Sequence, residues 1–113
     1  MKLSEAILLG MKKYPKKAVG KFYRDSDKAC ALGCADGATW TEDDLSPGTY
    51  FPTDRLRRKF PALAKKPKNE PNHKSKTLTL LELIVDLNDN CGWSRSRIAH
   101  WIAKSGNDCE MVP

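Results

Sequence analysis

Four cysteines and two histidines are the side chains of this 113-residue chain best suited to holding a soft metal ion. Cys30 and Cys34 have three residues between them, one turn along a helix, but Cys91 and Cys109 follow only after 56 and then 17 further residues. That spacing matches neither a zinc ribbon nor a zinc knuckle. Cys30, Cys34, Cys91 and His73 are therefore weak metal candidates drawn from separate segments, and packed, reduced thiols are the plainer expectation. A disulfide within one helical turn is badly oriented, and no cofactor is called for.

Harder ions fare no better. In residues 86–97, Asp86, Asn88 and Asn90 fall at the first three ligand positions of a calcium loop and Ser94 at the ninth. Cys91 then occupies the position of the sharp-turn glycine, and Arg97 that of the closing glutamate, putting a cation where the ion needs its strongest anion. Turn chemistry accounts for the same residues. The chain has no phosphate-cradling glycine loop, no nucleophile elbow, no H-E-x-x-H and no dinucleotide fingerprint, so the expectation is a protein that is not an enzyme.

The cations are more informative. Net charge is +6, arranged in blocks: basic over 1–28, acidic over 29–54, strongly basic over 55–76, mildly acidic to the end. The third block offers Arg55, Arg57, Arg58, Lys59, Lys65, Lys66, Lys68, Lys74 and Lys76 as nucleic-acid candidates, against Glu70 as its one acid. Phe60 is its only aromatic, so stacking on bases is not written into it. Arg95 and Arg97 join the set because they open a helix that follows a turn, where a recognition helix of a helix-turn-helix presents its base contacts. For a protein partner, Trp93 is the candidate anchor, with Asn88 and Asp89 beside it in the same turn.

Elements that would position these groups can be read from spacing and caps. Leu80, Leu81, Ile84 and Leu87 line one helical face, widened by Leu83 and Val85. A turn over 88–93 leads to Ser94 as N-cap of a second helix, with Ile98, Trp101 and Ile102 inward and Gly106 at its end, giving a hairpin or angled pair. Earlier, Ser4 is expected to cap a helix whose inward face is Ile7, Leu8 and Met11 and which Pro15 stops. A brief strand or extended link is expected over 19–23. A small-residue helix should run from Lys28 to Asp36, capped by Ser26 or Asp27 and ended by Gly37. Residues 40–44 read as loop, Ser46-Pro47-Gly48 as a turn, and Tyr50 and Phe51 as a short extended contact. Thr53 is expected to cap a helix with Leu56 and Phe60 inward, up to Pro61. The fold class is thus mainly α: one domain over 1–113 of four to five helices, with a C-terminal helix pair, room for one short β segment, and 64–76 as a flexible basic loop. No run approaches the roughly 18 apolar residues of a membrane span, and the start carries no export-type signal, so a cytoplasmic protein without membrane partners is expected.

Three stretches together, LSEAILLG at 3–10, CALGCA at 30–35 and LNDNCGWSRSRIAHW at 87–101, resemble a family of small bacterial, phage and prophage-associated proteins. That family starts LSEAI-x-LG, has a CALGAA-like helix, and ends HLND-x-H-x-W-[ST]-R-x-x-IA-x-W. It often has histidines at the positions of Asp86 and Cys91. The resemblance implies an accessory protein of a phage or mobile element and carries no activity with it. The expected function is therefore non-enzymatic binding of a macromolecular partner, a host protein first and a nucleic acid second.

Overall fold

The first helix, α1 (Leu3–Lys13), stops at Tyr14, whose backbone leaves the helical region as the following Pro15 requires. The computed structural model describes residues 1–45 and 51–113. Among these, four more helices follow: α2 (Ala31–Thr39), α3 (Pro52–Lys59), α4 (Leu80–Asp89) and α5 (Arg95–Lys104). Short 3-10 turns at Glu42–Leu45 and Pro61–Ala64 and three two-residue strands complete the list. In the sheet β3 (Lys28–Ala29) lies between β1 (Lys16–Lys17), its parallel neighbour, and β2 (Tyr23–Arg24), its antiparallel one. The mainly helical class follows. The turn expected at Ser46-Pro47-Gly48 and the contact at Tyr50 lie outside the described residues.

Helix α1 packs chiefly on α2 and α5, and glycine sets how close α2 comes. A Cβ on Gly10 would lie inside the van der Waals radius of the Cys34 carbonyl, and one on Gly33 inside that of the Phe22 carbonyl. The small-residue helix is therefore packed on both sides by backbone. The core gathers Leu3 and Ile7, Leu32, Leu56 and Phe60, Leu80, Leu83, Ile84 and Leu87, and Ile98 and Ile102, all shut off from solvent. The two terminal helices touch each other over a small area, because α5 leans on α1 rather than folding flat along α4.

Several expected boundaries move, each for a tertiary reason. Ser4 lies inside α1, and its hydroxyl and N–H both donate to Asp108, at 2.5 and 3.1 Å. Glu5 accepts the Lys2 N–H at 2.8 Å and closes that end instead. Leu8 is on the outer face. Cys30 caps α2, accepting the Gly33 N–H, because Lys28 and Ala29 are drawn into the sheet. Gly37 lies within α2, where a Cβ would strike the Tyr14 ring. Part of the loop expected over 40–44 is a 3-10 turn, and Phe51, with Pro52 in the first turn, starts α3 in place of Thr53. The strand near 19–23 begins only at Tyr23. At the C-terminal pair the caps stand as expected: Ser94 accepts the Arg97 N–H at 3.1 Å, and Gly106 takes the left-handed conformation (φ 83°) beyond α5.

Candidate functional site

Arg95 is 5% exposed, and its guanidinium lies where the end of α1, the sheet and α2 converge. Nη1 donates to the carbonyls of Tyr14 (2.6 Å), Ala29 (3.1 Å) and Lys16 (3.2 Å) and to Cys34 Sγ (3.2 Å); Nη2 donates to the Pro15 carbonyl at 2.9 Å. It cannot reach a base edge, so the helix-turn-helix reading of Arg95 is corrected. Arg97, one turn position away, is exposed and stacks on the Trp93 ring, 3.7 Å from its centroid. Trp93 is half-buried under it, and the Trp93 carbonyl accepts Lys17 Nζ at 2.9 Å.

The turn residues proposed for a partner divide likewise. Asn88 is buried and bridges two distant segments: its Oδ1 accepts the Ala31 N–H and its Nδ2 donates to the Ala18 carbonyl at 3.0 Å. A buried amide so occupied holds the fold together. Asp89 stays half-exposed, accepting from Asn88 at 2.8 Å. Asp86 is a second clasp. Its carboxylate accepts the N–H groups of Lys74 (2.9 Å) and Ser75 (3.0 Å) and the Asn90 amide (2.7 Å), and meets His73 Nδ1 at 3.1 Å. Burial alone would raise its pKa, but the Asn90 and Ser75 hydrogen bonds outweigh it and hold the carboxyl well below the usual carboxylate range.

The metal candidates are scattered. Cys91 Sγ reaches Asp86 at 3.9 Å beside His73, while Cys30 caps α2 and Cys34 lies within it, occupied by the Gly33 N–H and by Arg95. Burial pushes the Cys30 thiol up to about 11 and raises Cys34 as well, against Arg95, so both thiols stay protonated near neutrality. Among the described residues no three His, Cys, Asp or Glu groups gather in a way that could hold an ion.

The basic block splits into an internal and an external part. Arg55 is buried and forks onto Asp36, with Nε to Oδ1 at 2.9 Å and Nη2 to Oδ2 at 2.7 Å; Tyr23 adds its hydroxyl to Oδ2 at 2.5 Å. Burial and the hydrogen bond to Asp36 push the Tyr23 hydroxyl far up, so it remains a donor. Lys59 pairs with Asp44 at 2.7 Å and donates to the Thr39 carbonyl at 2.8 Å. Arg55 and Lys59 are thus corrected from phosphate ligands to ties between α2 and α3. One signal in the sequence could have found this: Asp36 is the only acid in an otherwise apolar, small-residue helix, and a buried carboxylate needs a cation.

Seven cations of the block stay exposed: Arg57, Arg58, Lys65, Lys66, Lys68, Lys74 and Lys76. Lys65, Lys66 and Lys68 line a groove of about 360 Å³ whose other wall carries Asn107, Cys109 and Val112 together with two acids, Asp108 and Glu110. The segment that carries them, expected to be a flexible loop, has no helix or strand beyond Ala64 but is tied at several points. Asn107 pairs with both the N–H (2.7 Å) and the carbonyl (2.8 Å) of Lys68, Asn69 donates to the Ser105 carbonyl at 2.8 Å, and the Lys65 carbonyl accepts the Leu80 N–H at 2.8 Å. The lysine side chains lie in solvent, while their backbone is held.

No helix among the described residues is long and apolar enough to cross a membrane. Comparison with protein-family models, with curated proteins and with solved structures finds no match to this chain.

Proposed function

We propose that the chain is a non-enzymatic nucleic-acid-binding protein whose working surface is the external part of the 57–76 segment. One observation carries this reading. The cations nearest the core are consumed by internal partners, yet seven on this segment stay in solvent, where they outnumber the acids near them: Glu70 within the segment, Asp54 beside Arg57 at 3.8 Å, and Asp108 and Glu110 on the lysine groove. A row of cations on a backbone held by Asn107 and Asp86 suits phosphates, which need charge at a roughly regular spacing and no base-specific geometry. The protein-partner reading loses support because Asn88 faces inward and Trp93 is covered by Arg97. An accessory role in a phage or mobile element is carried by the resemblance of the three stretches alone.

Salt dependence is the test. Five to seven phosphate contacts give log K against log salt a slope of about −4.5 to −6 on duplex DNA. Replacing Lys65, Lys66 and Lys68 by alanine should reduce that slope by about 2 to 3. Absence of binding to DNA and RNA at low salt would end the proposal.

A further inference from the structure

A cavity of about 80 Å³, separate from the lysine groove, opens between α4 and the segment that leads into β2. Phe22, Cys30, Ala31, Leu32, Ile84 and Val85 line it. The segment beside it is a bridge held at both ends. The Ala18 carbonyl accepts Asn88 Nδ2 at 3.0 Å and the Phe22 carbonyl accepts the Cys30 N–H at 3.0 Å, while Val19, Gly20 and Lys21 between them are exposed. Asn88 also borders the cavity, but its Oδ1 is taken by the Ala31 N–H and its Nδ2 by Ala18 and Asp89; the Cys30 thiol accepts the Gly33 N–H. Walls whose polar atoms are already spent hold water poorly and suit an apolar group. Two charges complete the lining where it meets solvent: Lys21, exposed, and Asp89, half-exposed. They are not paired with each other. Among the described residues the Lys21 ammonium has no ion pair or hydrogen bond, and the Asp89 carboxylate accepts only from the Asn88 side chain and the backbone. Opposite charges that border one apolar cavity and leave each other unpaired complement a ligand that carries both signs next to an apolar group.

We propose that this cavity binds a small aliphatic α-amino acid, with the branched side chain inside, the carboxylate toward Lys21 and the ammonium toward Asp89. Volume selects the side chain. The cavity is well under the ~150 Å³ of an apolar cavity that takes benzene, so an isopropyl or isobutyl group fits and a phenyl ring does not. Polarity selects it as well: a hydroxyl or amide head among Phe22, Leu32 and Ile84 would lose its water and gain no partner. None of the lining residues belongs to the 57–76 segment, so the site stands whether or not that segment binds nucleic acid.

Amide NMR spectra of the full chain, titrated with L-leucine or L-valine to about 10 mM, test this. Saturating shifts should appear at residues 20–22 and 85–89, and L-phenylalanine should leave the spectrum unmoved. N-acetyl-leucine, which lacks the ammonium, and leucine amide, which lacks the carboxylate, should each bind about fivefold more weakly than leucine, the upper end for an exposed ion pair. Asp89→Asn should weaken leucine by the same factor and leave N-acetyl-leucine unchanged; Lys21→Gln should weaken leucine and leave leucine amide unchanged. Urea midpoints confirm that both surface substitutions keep the fold. No shift with either amino acid, or shifts confined to other residues, would overturn the site. Equal affinity for leucine, its amide and its N-acetyl form would refute the roles of Lys21 and Asp89, and phenylalanine binding as tightly as leucine would refute the choice of an aliphatic ligand.

Discussion

Arg95→Met should unfold this protein far more readily without touching any surface. The guanidinium is the donor for the Tyr14 and Pro15 carbonyls at 2.6 and 2.9 Å and shares further N–H groups with Lys16, Ala29 and Cys34. Ala29 keeps the Ala18 N–H at 3.1 Å, so its carbonyl is not orphaned. Two charge-assisted bonds at about 1.5–3 kcal/mol each give a loss of about 3–6 kcal/mol. With a urea m-value near 1.5 kcal/mol/M, the midpoint should fall by about 2–4 M. Arg95→Lys should lie between, because one ammonium cannot span the acceptors that a planar fork reaches. Arg97→Ala is the matched control: exposed and stacked on Trp93, it should cost no more than about 1 kcal/mol. Equilibrium urea unfolding followed by tryptophan fluorescence measures all three. An Arg95→Met midpoint within about 0.3 M of wild type would refute the argument. A variant of full stability with lost DNA affinity would restore Arg95 to a recognition helix.

Acid should loosen the loop over 73–75 from α4. Because the folded pKa of Asp86 is depressed, its contribution is whole above the unfolded value of about 4 and is lost as pH falls below it; Asp86→Asn should flatten that acid limb. Urea midpoints at pH 7, 4 and 3 that decline in parallel for wild type and variant would contradict this. Gly10→Ala should force α1 off the Cys34 carbonyl at a cost of about 3 kcal/mol, seen as a melting temperature lower by about 12 °C; an unchanged melting temperature would show the contact to be soft. Of the four thiols, Cys91 and Cys109 should react with a disulfide reagent in the native protein, and Cys30 and Cys34 only after unfolding. Four equal rates would count against the buried pair.

Local chemistry is what the sequence displays well. Pro15 stopping α1, Ser94 capping α5 and the Leu80 to Leu87 face need only neighbours within a turn to be recognised. Gly37, Asn88 and Arg95 mislead for one common reason. A glycine late in a helix, an asparagine in a turn and an arginine at a helix start each have an ordinary local meaning, while their partners here, Tyr14, Ala31 and the 14–16 carbonyls, lie 23 to 81 residues away. The same holds for the candidate site: a list of basic residues cannot separate Arg55, facing Asp36, from Arg58, facing water. The stretches 3–10, 30–35 and 87–101 also become intelligible together. Gly10 rests on Cys34, Cys34 accepts from Arg95, and Asn88 holds Ala31, so the patterns meet in one place and specify packing.

The two ends of the chain lie side by side. Leu3 donates to the Cys109 carbonyl at 3.0 Å, Met111 to the Met1 carbonyl at 2.8 Å, and Val112 to the Lys59 carbonyl at 2.7 Å, around an antiparallel bridge between Lys2 and Glu110. Under mechanical load this geometry is a zipper: force applied at residues 1 and 113 breaks those bonds one at a time instead of shearing them together. The protein should therefore yield at low force in a single-molecule experiment, however firm Arg95 makes it toward urea. The first part to peel is 109–113, the wall of the lysine groove, so a pull on the ends would widen the proposed phosphate-binding surface before any helix is lost.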